Sequence, residues 1–172
     1  MSFLPRPNRL VLAIALVGVS PAFGQTVPLA CAPWTFTTDG GFEGGENVAE
    51  VYCPAPDEDM MTGLALSCGE DGGLSLRAYP YAIGAEPDDA EVTITYQTAN
   101  GTFPLPTRFE AADGAFASAL SGTAADPGLL SALTGDASVS FAVEGIGNPT
   151  TVSLTGAREA IAQLQKACAN LN

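Results

Sequence analysis

Leu64-Ala65-Leu66-Ser67-Cys68-Gly69-Glu70-Asp71-Gly72-Gly73-Leu74-Ser75-Leu76-Arg77-Ala78 is the stretch from which the fold can be read. Leu64, Leu66 and Cys68 alternate with Ala65 and Ser67, and Leu74, Leu76 and Ala78 alternate with Ser75 and Arg77. Each arm of a β-hairpin therefore has one apolar face. Register then selects the loop. A two-residue turn at Asp71-Gly72 would oppose Leu66 to Arg77 and put the two apolar sets on opposite faces. A three-residue loop, Glu70-Asp71-Gly72 with Gly72 left-handed, opposes Cys68 to Leu74 and Leu66 to Leu76 on one face. Cys68 then points into a core at a strand end.

Working outward, Trp34-Thr35-Phe36 and Val48 to Cys53 read as strands before the hairpin, the second stopped by Pro54 and Pro56. After it, Val92, Ile94 and Tyr96 make one face of a strand whose other face is Glu91, Thr93, Thr95 and Gln97. A two-residue turn at Asn100-Gly101 would place Pro104 and Pro106 in hydrogen-bonded pairs, where each lacks the donor. A four-residue loop from Ala99 to Thr102 keeps Tyr96 opposite Leu105 and Thr98 opposite Phe103 and turns both prolines outward. Phe103 to Phe109 is then expected to be an edge strand. Ala115 to Leu120, Val139 to Val143, and Val152 with Leu154 supply the remaining strands.

Two helices complete the reading. Asp126-Pro127 caps a short one that Gly135 stops. The last, Ala157 to about Ala169, puts Ala157, Ile161, Leu164, Cys168 and Leu171 on one stripe, with Gly156 as N-cap. Glu159 suits the first turn of that helix; Arg158 does not, and is expected to have a carboxylate partner. The expected fold is mainly β: an antiparallel β-sandwich of roughly seven to ten short strands with a short internal helix and a C-terminal helix, stapled by disulfides.

Arg6 and Arg9, the apolar run Leu10 to Val19, and the small residues around Ala22 and Gly24 form the three regions of a secretory signal peptide. Cleavage is expected after Gly24, with Ser20-Pro21-Ala22 as the other small-residue choice. A lipoprotein reading on Leu29-Ala30-Cys31 would set Cys31 too far from the apolar run and leave three thiols for one bridge. Residues 1–24 are thus read as the signal peptide and 25–172 as a single exported β-rich domain, periplasmic or secreted. No later run approaches the roughly 20 apolar residues of a membrane-spanning helix.

Without its leader the chain keeps four basic residues, Arg77, Arg108, Arg158 and Lys166, against nineteen acidic ones, hence a formal charge of −15. Nucleic acid and anionic lipid are poor partners for such a surface. Four cysteines in an exported chain imply two disulfides. Cys68 on an inward strand face and Cys168 on the inward helix stripe favour Cys68–Cys168, which leaves Cys31–Cys53. The chain lacks any C-x-x-C pair and any histidine, so no zinc site and no metal or other cofactor is expected. The glycine-rich acidic segment Asp39 to Asn47 matches no calcium-loop spacing and reads as a loop.

With no histidine, Ser-His-Asp and Cys-His sites are excluded. A Ser-Lys dyad would need Lys166, the only lysine, which reads as a solvated helix residue. The acid pairs Asp57/Asp59 and Asp88/Asp89 are the material a glycosidase would use, although adjacent acids in proline-bounded loops are ordinarily just solvated. Tyr79 and Tyr81, flanking Pro80 beside an acidic loop with Glu86, Asp88 and Asp89, form the candidate contact patch, against the plainer reading of a core-edge tyrosine pair. Two functions follow: a non-catalytic accessory or binding domain contacting an envelope protein or a polysaccharide, or a glycosidase-like hydrolase using loop carboxylates.

Leu64-Ala-Leu-Ser-Cys68 with Leu74-Ser-Leu-Arg77, together with Val152-Ser-Leu-Thr-Gly-Ala-Arg-Glu-Ala-Ile-Ala-Gln-Leu-Gln-Lys-Ala-Cys168, resembles small periplasmic proteins associated with type VI secretion. The last phrase also resembles the close of invasion-associated locus B proteins. The resemblance covers about a third of the exported part and implies a β-sandwich with a terminal helix, an accessory, non-enzymatic role in the envelope, and no catalytic residues.

Overall fold

The hairpin forms in the expected register. Strands β3 (Met61–Cys68) and β4 (Leu74–Tyr79) pair with Cys68 opposite Leu74, Leu66 opposite Leu76 and Leu64 opposite Ala78. The Gly69 N–H donates to the Gly73 carbonyl at 2.8 Å, closing the ladder at the base of the loop. The computed structural model describes residues 30–39, 47–54, 61–69, 73–81, 87–120, 127–145 and 149–170. Residues 1–24, read above as a signal peptide, the loop residues Glu70 to Gly72, the expected cap Asp126 and Leu171 lie outside them.

The other strands are β1 (Thr35–Thr37), β2 (Val48–Pro54), β5 (Glu91–Thr98), β6 (Gly101–Glu110), β7 (Ala115–Ala119), β8 (Ser138–Val143) and β9 (Thr150–Ser153). Among the described residues these nine make one antiparallel sheet in the order β1-β2-β3-β4-β7-β6-β5-β8-β9. The mainly β fold with an internal and a terminal helix is therefore present, and its strands belong to one continuous sheet. Trp34 brings the two ends of that sheet together. Just before β1, its backbone N–H donates to the Thr155 carbonyl at 2.9 Å, and its indole N–H donates to the Ser153 carbonyl at the end of β9 at 3.1 Å. The sheet thus encloses its core as two stacked layers would.

One core holds Val51, Leu66, Leu76, Tyr96, Phe116, Phe141 and Val152 from the inward faces of the strands. Helices α1 (Pro127–Gly135) and α2 (Ala157–Ala169) complete it with Leu129, Leu133, Ile161 and Leu164. α2 begins at Gly156, whose φ of 84° only glycine adopts without strain. A Cβ there would also sit 3.0 Å from the Trp34 carbonyl oxygen, so the same residue admits the sheet latch.

Both disulfides form as expected, Cys31–Cys53 and Cys68–Cys168, the second with Cα atoms 5.4 Å apart, well within bonding range. It ties the last turn of α2 to the end of β3. Cys168 is 3% exposed, on the stripe with Ala157, Ile161 and Leu164.

Three expectations are corrected. The β5–β6 hairpin turns at Ala99-Asn100, with Thr98 opposite Gly101, Tyr96 opposite Phe103 and Ile94 opposite Leu105. This register is two residues from the expected one. A shift of two leaves every side chain on its face, so facing alone did not separate the two registers.

Second, β6 is not an edge strand. It lies between β5 and β7, yet β7 pairs only with Arg108, Phe109 and Glu110. The Phe109 N–H donates to Ala90 on the β5 side, so the even-numbered residues of β6 direct their backbone groups toward β7. Pro104 and Pro106 have no N–H to offer there, and the ladder stops short of them. The prolines do blunt an edge, but a local one inside the sheet.

Third, Arg158 has no carboxylate partner among the described residues. Its Nε–H donates to the Thr134 carbonyl at 3.1 Å, placing a cation at the C-terminal end of α1, where the helix dipole favours one.

Candidate functional site

The two tyrosines of the patch differ in exposure: Tyr79 ends β4, and Tyr81 lies just beyond it. Tyr79 is 5% exposed and packs with Val48, Ala65 and Ala115 in a small second cluster on the outer face of the sheet. Its side chain is thus almost wholly covered by neighbouring strands. Tyr81 is 39% exposed, the only large hydrophobic side chain so exposed among the described residues, and its backbone N–H donates to Thr150 Oγ1 at 2.9 Å.

The acids of that patch are dispersed. Asp88 Oδ1 accepts from the Ala111 N–H at 2.9 Å and fastens the loop after β6. Asp89 has φ 62° and lies 3.9 Å from Arg108. Glu86, Asp57 and Asp59 fall outside the described residues. Lys166 is exposed on α2 and lines a shallow hollow of about 280 Å³ with Phe36, Thr38, Asn47 and Gln163. Of the acidic segment, only Asp39 and Asn47 are described. No described group of three or more Asp, Glu, His or Cys side chains is placed to hold a metal ion.

A different set of residues converges on the outer face over β4, β7 and β6. The pairings align Glu50, Ala65, Arg77, Ala117, Arg108 and Glu91 in one row across six strands. Period-two alternation points them all away from the core. Ser67, Ser75 and Ala119 form the next row. Because β7 separates from β6 beyond Ala117, the surface opens there into two adjoining hollows of about 460 and 250 Å³. The larger is lined by Ser67, Ser75, Arg77, Arg108 and Glu110, the smaller by Glu91, Pro106 and Thr107, and both by Arg108, Ala117, Ser118 and Ala119. Together they make a groove with a floor of small residues.

Its charges come in pairs. Arg77 lies 3.0 Å from Glu110 and 3.9 Å from Asp113. Arg108 lies 3.9 Å from Asp89 and 3.8 Å from Glu91. The contacts of Arg108 are too long for hydrogen bonds, and among the described residues its guanidinium donates none. With side chains 59–86% exposed, such pairs add little to stability. Ser118, 7% exposed, has a hydroxyl without a hydrogen-bond partner among the described residues.

This groove was not singled out from the sequence, although a signal existed. Arg77 and Arg108 are half of the four basic residues after Gly24, and each sits at an outward position of an alternating strand. Their proximity depends on β7 lying between β4 and β6. No family model, curated protein or solved structure matches this chain.

Proposed function

We propose that the chain is an exported, non-catalytic accessory or binding domain of the cell envelope, and that the groove over β4, β7 and β6 is its binding face. The groove itself carries this reading: its two carboxylates, Glu110 and Glu91, are each beside an arginine. A glycosidase works with two carboxyl groups flanking the scissile bond, about 5–5.5 Å apart if retaining and 6.5–9.5 Å apart if inverting. A carboxylate beside a guanidinium instead supplies a fixed acceptor next to a fixed donor fork, which serves recognition.

The export reading is supported by the order of charged, apolar and small residues before Gln25 and by two disulfides, which persist in oxidising compartments. No described helix is long and apolar enough to cross a membrane. The resemblance to type VI secretion-associated and invasion-associated locus B proteins points to the same accessory role. The partner is an envelope protein or a polysaccharide. Capture from an envelope extract, combined with an assay for reducing ends released from envelope glycans, tests the proposal. A retained partner with no glycan turnover is the expected result; turnover abolished by Asp88→Asn or Glu91→Gln would refute it.

A further inference from the structure

We infer that the groove takes an uncharged, hydroxyl-rich oligosaccharide, with Arg108 as its principal anchor. This rests on the groove being the binding face. Its lining alternates donors and acceptors: the guanidinium groups of Arg77 and Arg108, the carboxylates of Glu91 and Glu110, and the hydroxyls of Ser67 and Ser75. Each sugar hydroxyl both donates and accepts, so neighbouring hydroxyls match a guanidinium and a carboxylate side by side. Ala117 and Ala119 leave the floor flat enough for a ring to approach the sheet. The larger hollow alone, about 460 Å³, has the volume of a small-molecule site.

Charge selects among glycans. Two arginines face Glu91, Glu110, Asp89 and Asp113, a local excess of two negative charges on a chain that is strongly acidic throughout. An acidic polysaccharide is repelled at short range and long. A protein partner is a poorer fit, because hot spots are built on aromatic and large apolar anchors. Among the described residues the groove presents none: Leu74 is the one large apolar residue lining it and is 7% exposed.

The test uses the full exported chain titrated calorimetrically with neutral hexasaccharides (malto-, cello-, manno- and chitohexaose) and with an acidic pair, hexagalacturonate and a heparin hexasaccharide. Saturable binding of at least one neutral member is expected. Arg108→Gln should weaken it about tenfold or more, the loss of one or two charge-assisted hydrogen bonds. Ala119→Phe, at an exposed position that fills the groove without touching the core, should abolish it, while Tyr81→Ala leaves it unchanged. The inference is overturned if no neutral oligosaccharide binds, if only the acidic pair binds, or if both groove variants bind as the unaltered chain does. An envelope protein retained equally by the unaltered chain and by Arg108→Gln would likewise overturn it while leaving the binding-domain reading standing. Release of reducing ends from a bound hexasaccharide would instead overturn the non-catalytic reading.

Discussion

Replacing Cys68 and Cys168 together by alanine should destabilise the protein more than replacing Cys31 and Cys53. The first bond spans a sequence separation of 100 residues and the second one of 22. If each acts by restricting the unfolded chain, the loop-closure relation gives about 4.7 kcal/mol for the longer loop and about 3.4 kcal/mol for the shorter. Cys168 and Cys53 are both almost fully buried, at 3% and 2% exposure, so the packing lost with each pair is similar and largely cancels in the comparison. α2 remains docked through Ala157, Ala160, Ile161 and Leu164, so the fold should survive and only its stability fall. For a domain of this size the longer bond corresponds to about 10–20 °C in Tm. Urea unfolding of the two double variants, followed by circular dichroism with a common slope, measures the difference. A loss below about 1.5 kcal/mol for the Cys68/Cys168 pair, or a larger loss for Cys31/Cys53, would refute the loop-closure reasoning.

Other outcomes are as definite. Gly63→Ala should cost about 2 kcal/mol or more, because a Cβ at that position of β3 would collide with the Val51 carbonyl oxygen and force β2 away; an unchanged urea midpoint would contradict this. Tyr96→Phe should stabilise by about 1 kcal/mol, since the hydroxyl is fully buried without a hydrogen-bond partner among the described residues. Burial also raises the Tyr96 pKa above its ordinary value of 10.0. The folded state therefore holds this proton more tightly than the unfolded state, and stability is lost progressively as pH rises above about 10. Tyr96→Phe should remove that part of the alkaline decline, and identical decline in both proteins would contradict it. N-terminal sequencing of exported protein should begin at Gln25, whereas an intact leader would contradict the export reading.

The hairpin was legible because two constraints, apolar facing and loop chemistry, agree on one register, and that register placed Cys68 where Cys168 meets it. Facing was silent about β5 and β6, where a two-residue shift costs no facing, and the register seen there keeps Tyr96 inward opposite Phe103. The sheet order was out of reach for a different reason. Pairing β4 with β7 joins Ala78 to Phe116, and nothing local in either strand encodes its neighbour. The candidate site inherits that limit: Ser67, Ser75 and Arg77 share the hairpin, but Ala117 and Arg108 join them only through the pairing of β7 with β4 and β6. The burial of Tyr79 was equally out of reach, since alternation places it on the outer face and it is covered there by Val48, Ala65 and Ala115, of which Val48 and Ala115 come from other strands outside the hairpin.

The claim that the outer face over β4, β7 and β6 is where this protein meets its partner is tested most directly by hydrogen–deuterium exchange of the chain from Gln25 to Asn172 with and without an envelope extract. The account predicts added protection confined to peptides carrying Ser75 to Arg77, Pro106 to Glu110 and Ala117 to Ala119. Protection centred on Tyr81 and Asp88 with those strands unchanged would contradict it.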